Sequence, residues 1–476
     1  MVSNPIKNGY RGEQRKSLRM KKQIAILLVL LFSSIIVDQA GNNFFASATA
    51  KGALSTTGKD TINQYTFTHY PSEVVGMSSV TLARIDSIVK DGMKARAFPG
   101  CQVLVMKDGK SVYDKCFGYY TYEAAQKVLP TTMYDLASLS KTTGTLLAIM
   151  KLYDNGRLKL TDKASRYLTF LRGTDKSNIT IKELLLHESG LPADLSCYRL
   201  ATTKDKAYAV HMGCTNMQYK KDWVSKIPTA EYTSKVSDNF FLRNSFHRAA
   251  MKMIADTRLR SKTYLYSSVN FILLKEIAEI VSGIPMDEFL DKEFYTPMKL
   301  NHMAYLPLRT HQKKDISPTF IKDFLRNGVL QGYVQDPDAA FLGGVAGNAG
   351  LFASARDVAT VYQMLLNKGE MDGKRYLSTE TYRVFTTTTS KSGRRYLGYD
   401  KPVPENPKYS PCCVSAPPVV FGHTGYTGTC CWVDPANKLV YVFLSNRTYP
   451  NDRVNKLAKM NIRTRIQEEI YLSMKN

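Results

Sequence analysis

"CQVLVMKDGKSVYDKC", residues 101–116, decides how the sheet of this protein is built. Two apolar-rich runs flank Asp108-Gly109, a dipeptide suited to a tight hairpin turn. With those two as the turn residues, Lys107 faces Lys110, and counting outward sets Cys101 opposite Cys116. That pairing is within reach of a cross-strand disulfide. A surface helix precedes the hairpin: Leu82, Ile85, Ile88 and Val89 share one side of Ser79–Met93, and Phe98-Pro99-Gly100 breaks it. Near the other end, "FGHTGYTGTCCWVDPANKLVYVFLSN" (421–446) reads as two strands joined by a turn at 434–437. "NDRVNKLAKMNIRTRIQEEIYLSM" (451–474) follows as an amphipathic helix. Between the ends, roughly 120–395 reads as mostly helix and loop. The expected fold is α+β: one antiparallel sheet assembled from both ends of the chain, flanked by helices, with a mostly helical region inserted.

The 476 residues are 44% hydrophobic and 22% charged, ample for a large core and unlike a disordered chain. The formal net charge of +24 is spread along the sequence and suits an anionic cell envelope as surroundings. No basic run with interleaved aromatics occurs, so nucleic acid is not expected as a partner. "MKKQIAILLVLLFSSIIVDQA" from Met20 has two lysines and then the apolar run Ile24–Val37, shorter than the ~20 residues of a membrane span. Residues 1–48 are read as a leader and signal peptide with cleavage near Ala46-Ser47-Ala48, the start falling at Met1 or Met20. An uncleaved anchor is the alternative. Residues 49–78 are read as a linker and 79–476 as the folded domain. The eight cysteines fit no Cys-x-x-Cys metal or redox spacing, and export favours disulfides. Besides 101 with 116, the options are a loop closed by Cys197 and Cys214 and pairing between Cys412-Cys413 and Cys430-Cys431; the alternative is buried thiols.

"YDLASLSKTTGTLLAIMKLYDNG" (134–156) carries the candidate chemistry. Leu146, Leu147, Met150 and Tyr153 fit one helical face, and Asn155-Gly156 stops it. Ser138 then lies at a helix N-terminus with Lys141 one turn along the same face. A serine hydroxyl is a weak nucleophile that needs a base, and a desolvated lysine can be one. The spacing alone is cheap: Ser87 and Lys90 repeat it on a structural helix. What lifts Ser138 is Tyr266-Ser267-Ser268 ahead of a second apolar helix, and His423-Thr424-Gly425 on the predicted C-terminal strand.

In that order, these segments resemble the motifs of the serine β-lactamase and penicillin-binding protein superfamily, and within it the class C β-lactamase-like hydrolases. The likeness spans about 80–472 and extends to "LLLHESGLP" (184–192), "GGVAGNAGLF" (343–352) and "LSNRTYP" (444–450). It implies that Ser138 attacks a carbonyl, Lys141 takes its proton, and Tyr266 serves as a second acid/base. It places an oxyanion hole at the backbone N–H groups of Ser138 and Tyr426, with Ser268, Thr424 and Gly425 against the substrate. Two departures stand out. Ser268 replaces the usual Asn or Asp, and His423 replaces the lysine of many penicillin-binding proteins, which removes a fixed cation. Arg447 is a candidate replacement cation. His187 reads as a structural turn histidine, and "GGVAGNAG" as a tight loop on the active-site side.

The resulting expectation is an exported serine hydrolase that cleaves an ester, amide or β-lactam bond through a Ser138 acyl-enzyme. Its substrate would be a small molecule or a peptidoglycan-derived fragment. Neither a cofactor nor a metal is expected. The alternative is a non-enzymatic wall-binding or sensing protein on the same scaffold.

Overall fold

The computed structural model describes residues 68–203 and 217–475. The leader, the cleavage site, the start of the linker and Cys214 lie outside the described residues.

The first hairpin pairs β1 (Gly100–Lys107) with β2 (Lys110–Gly118). Asp108 and Gly109 both take positive φ, 51° and 74°, as the two-residue turn requires. The C-terminal region supplies β3 (Phe421–Thr424), β4 (Cys430–Asp434) and β5 (Leu439–Ser445). Together they form one antiparallel sheet in the order β3-β4-β5-β1-β2, so the two ends of the domain meet where Cys101 faces Ser445. The sheet from both termini is as expected. The C-terminal segment differs in detail: it makes three strands, not two. The Gly425–Gly428 stretch turns the chain back, with the Gly425 N–H bonded to the Thr429 carbonyl at 2.8 Å.

Alternation along the strands explains the two-sided core. Cys101, Val103 and Val105 of β1 and Leu439, Tyr441 and Phe443 of β5 point into one apolar cluster. Leu104, Met106, Val440, Val442 and Leu444 point into the other. The first face is covered by α1 (Arg84–Lys94) and α5 (Ile462–Leu472), which contact each other. The helix expected over 451–474 is broken at Asn461, which adopts φ 53°. The second face is covered by α4 (Ala355–Leu366), and the larger core beyond it is built around α2 (Leu146–Asp154) and α3 (Ser268–Ser282). Within the inserted region, two three-stranded sheets of short strands accompany the helices.

The disulfide expectations are corrected. Between Val105 and Met106 the hairpin register shifts by one: Met106 faces Ser111 but Val105 faces Tyr113. The bulge at Val112 therefore sets Cys101 opposite Phe117 and Cys116 opposite Gln102. Cys430 and Cys431, adjacent on β4, project to opposite faces of the sheet. All seven cysteines among the described residues, 412 and 413 included, are free thiols.

Candidate active site

The nucleophile candidate is held by a turn that the chain strains to make. Ala137 has φ 47°, unusual for a residue with a side chain, directly before Ser138. Its N–H is tied to Asp135 Oδ1 at 2.8 Å, while Asp135 Oδ2 takes the Gln335 N–H at 2.7 Å. Burial pushes the Asp135 carboxyl up to about 6. A 3-10 turn (Ala137–Leu139) and a π turn (Lys141–Thr145) lead into α2. The expected helix start is thus present but irregular, a form often found at functional positions.

Lys141 is fully buried. Its Nζ lies 3.1 Å from Ser138 Oγ and donates to the Asn348 carbonyl at 2.9 Å. The amine also faces the rings of Tyr266 and Phe271, at 5.2 and 5.9 Å from their centroids. Asn348 belongs to "GGVAGNAGLF", which does lie beside the site. Its side-chain amide donates to Asp336 Oδ1 at 3.0 Å.

Tyr266 precedes α3, and its hydroxyl is buried with no hydrogen-bond partner among the described residues. His187 packs under it at a ring separation of 4.7 Å. His187 Nδ1 accepts the Ser267 N–H at 3.0 Å, which leaves the proton on Nε2. On the other side lies His423, 5.9 Å from the Tyr266 ring. Its Nδ1 is 2.6 Å from the Thr424 carbonyl, which can only accept. His423 is therefore the Nδ1–H tautomer, and its buried Nε2 has a lone pair and no partner. Burial, then the positive charge of Arg395, holds both imidazoles well below the ordinary histidine range. The loss of a cation at 423 is thus real.

The β3 end comes close to the nucleophile turn. A Cβ on Gly425 would meet Thr429 Oγ1 at 2.0 Å and the Leu136 carbonyl at 2.4 Å, so only glycine fits. Thr427 and Thr429 donate to the Asp135 and Leu136 carbonyls at 2.6 and 3.0 Å. These bonds fix Tyr426 beside Ser138. The Tyr426 side chain is half exposed, and its hydroxyl donates to Asp452 at 2.7 Å.

Ser138 lies where two cavities meet. One, of about 410 Å³, is lined by Ser138, Tyr266, His423, Thr424, Gly425 and Tyr426 together with four arginines. The other, of about 430 Å³, is lined by Ser138, Tyr266, Ser268 and Tyr426, by the aromatic rings of Tyr198, Phe320 and Phe324, and by acidic side chains. All eight residues expected at the site are therefore brought together or to its rim. Sequence reasoning missed Arg394, Arg395 and Asp336. They come from loops of the insertion with no local signature, and only tertiary packing delivers them.

His187 gives the site a pH signature. Its imidazole stays neutral in the folded chain, whereas unfolded it protonates near ~6.5. Its contribution is full above that value and is lost as pH falls from there toward the depressed folded value, at up to about 1.4 kcal/mol per pH unit. Thermal unfolding between pH 7.5 and 5.5 should show the native protein losing more stability on acidification than His187→Gln. Equal losses would place the proton elsewhere. The buried Asp135 and Asp357 (pushed by burial up to about 6 and about 7) titrate in both proteins and cancel in the comparison.

A serine in contact with a buried lysine, beside a buried phenol, has the make-up of a serine hydrolase site. The Beta-lactamase family model matches residues 85–462. The chain belongs to that family and is a serine hydrolase. A protein of Escherichia coli O157:H7, provisionally named D-alanyl-D-alanine carboxypeptidase, is 29% identical over 403 residues, covering 79% of this chain and 85% of its own. An N-acetylmuramyl-L-alanine amidase of Bacillus subtilis strain 168 is 29% identical over 407 residues, covering 79% and 83%. A solved class C β-lactamase superposes with a TM-score of 0.59 at 18% identity, covering 86% of this chain and 99% of its own, and shares the fold.

Proposed function

We propose that this protein hydrolyses an amide or ester of a cell-wall fragment through an acyl-enzyme on Ser138. The observation that carries the reading is the 3.1 Å contact between the fully buried Lys141 Nζ and Ser138 Oγ, at the point where the two cavities meet. The Ser138 proton passes to Lys141 as Oγ attacks the carbonyl carbon. The N–H groups of Ser138 and Tyr426 hold the oxyanion; the Tyr426 N–H has no acceptor within the described chain. Tyr266, whose hydroxyl has no other partner, gives a proton to the leaving nitrogen or oxygen. Lys141 keeps the Ser138 proton, and its ammonium, 5.2 Å from the ring centroid, stabilises the phenolate left on Tyr266, which takes a proton from the incoming water. Water then releases the acyl group by the reverse sequence, and Ser138 recovers its hydrogen.

The names of the two relatives, D-alanyl-D-alanine carboxypeptidase and N-acetylmuramyl-L-alanine amidase, support the substrate class. The basic composition suits work at an anionic envelope, and the apolar run Ile24–Val37 supports export. Incubation with a fluorophosphonate probe should give one covalent adduct, located at Ser138 by peptide mass spectrometry. Adduct at another residue, or none in folded protein, overturns the reading.

A further inference from the structure

Proton donation leaves a negative charge on Tyr266, and His423, on the strand beside it, is neutral and cannot answer that charge. Arg447, the candidate replacement cation, is engaged elsewhere. Its guanidinium carbon lies 4.2 Å from the Tyr426 ring centroid, and its Nε donates to the Tyr426 carbonyl at 2.6 Å. The guanidinium that meets Tyr266 is that of Arg395, whose central carbon is 5.5 Å from the ring centroid. That is a cation–π distance, close to the 5.2 Å of the Lys141 amine.

The fold fixes Arg395 in place. The residue is 1% exposed. Its N–H donates to Ser390 Oγ at 3.1 Å, and its carbonyl takes the Ser390 N–H at 2.9 Å. Further along the same loop, Asp400 and Gly422 exchange backbone bonds of 2.8 and 3.1 Å, which ties the loop to β3 at the residue before His423. Arg395 Nη2 donates to the Gly398 carbonyl at 3.3 Å, and its buried Nε has no partner among the described residues.

The charge of Arg395 is weakly answered. Its one ion-pair partner among the described residues is Asp400, with Nη1 3.6 Å from Oδ2, too long for a hydrogen bond. The Asp400 carboxylate is bonded directly by Arg394 and by the Lys401 N–H at 2.9 Å. After burial, Arg395 is the largest cause that keeps His187 and His423 neutral, and both rings pack against Tyr266. A field that disfavours a cation on either imidazole favours an anion beside them. A guanidinium keeps its proton at any working pH, and a cation already in place stabilises developing charge without reorganisation.

We propose that Arg395 supplies the fixed positive charge that His423 lacks, and stabilises the Tyr266 phenolate formed when the leaving group takes the phenol proton. The inference rests on the Ser138 hydrolase reading with Tyr266 as proton donor. Arg395 acts through Tyr266 as a positioning residue. It gives no proton and needs no charge on the substrate.

Two esters of one uncharged acyl group test this. Nitrophenoxide departs without a proton, whereas ethoxide must be protonated as it leaves. For both, kcat/KM reports acylation. Arg395→Gln should lower the ethyl-to-nitrophenyl ratio of kcat/KM by about 10-fold or more, and Arg395→Lys should restore most of it. On a Tyr266→Phe background, itself slow on the ethyl ester, Arg395→Gln should lower the ratio no further. Neither ester carries a carboxylate, so anion binding by Arg395 contributes to neither rate. An unchanged ratio, an Arg395→Lys ratio as low as that of Arg395→Gln, or a further fall on the Tyr266→Phe background overturns the inference. Should Arg395→Gln not fold, Arg395→Lys carries the test: a ratio within about 3-fold of native supports the inference, and a larger fall overturns it. Fluorophosphonate labelling of the same samples reports the Ser138 reading separately. Labelled Arg395→Gln with a native ratio sinks the inference alone, and folded native protein that takes no label sinks the Ser138 reading. Labelled Tyr266→Phe with a native ratio, or labelled native protein inert toward the ethyl ester, sinks Tyr266 as donor and the inference with it.

Discussion

Ser138→Ala is expected to lower kcat/KM on any ester or amide substrate by about 10⁴-fold or more, with the melting temperature nearly unchanged. The size follows from the loss of the covalent route: no other hydroxyl among the described residues is placed on the Lys141 amine. Stability should hold because Ser138 is not part of the turn's scaffold. That scaffold is Ala137 on Asp135, and Thr427 and Thr429 on the carbonyls of 135 and 136. Steady-state hydrolysis of a nitrophenyl ester, with a thermal melt on the same preparation, checks both halves. Retention of more than about a tenth of native activity would assign the nucleophile elsewhere.

The second large effect concerns folding. Arg326→Ala should destabilise the protein by about 3–5 kcal/mol, because it strands a buried partner charge. The Asp323–Arg326 pair is almost wholly inaccessible, with side chains 1% and 0% exposed. Arg326 makes two bonds to Asp323, at 2.7 and 3.0 Å, and bonds to the Val334 and Gln335 carbonyls at 2.8 and 3.0 Å. Truncation leaves the Asp323 carboxylate without its counter-charge, held only by the Leu325 and Arg326 N–H groups at 3.1 and 2.7 Å, and two carbonyls without their donor. The damage should also reach the site, since the Gln335 N–H holds Asp135, which holds the Ala137 turn. Denaturant titration measures the first effect and the rate of fluorophosphonate labelling the second. Replacing both partners by leucine should cost less than the single change, since no charge is then left unpaired. A double variant as unstable as Arg326→Ala would point to packing as the cause.

The sequence was informative where chemistry is local and linear. Ser138 and Lys141 share a helical face by spacing alone, and Tyr266 and His423 mark the approach to a helix and the end of a strand. Apolar-rich runs in 101–107 and 439–444, beside turn signals, were enough to put both ends of the domain in one sheet. What failed were features that depend on one residue more or less. The bulge at Val112 moves Cys101 off Cys116, and nothing in the hairpin's composition announces it. The turn at 425–428 hides inside an apparently continuous strand, although its glycines are the signal that was available. The arginine wall was illegible for another reason: Arg394, Arg395, Arg447 and Arg463 lie on separate elements, and their proximity exists only after folding. Of these, only Arg447 stood within a motif.

The pairing of Cys101 with Ser445 has a consequence for how the chain reaches its native state. β1 is an interior strand, and its partner β5 begins only at Leu439. The hairpin can form early, but one of its edges must wait until residues 439–445 have been made. High contact order of this kind slows folding and prolongs the exposure of an unpaired apolar strand. A nascent chain released before residue 439 would be aggregation-prone however well its middle is packed.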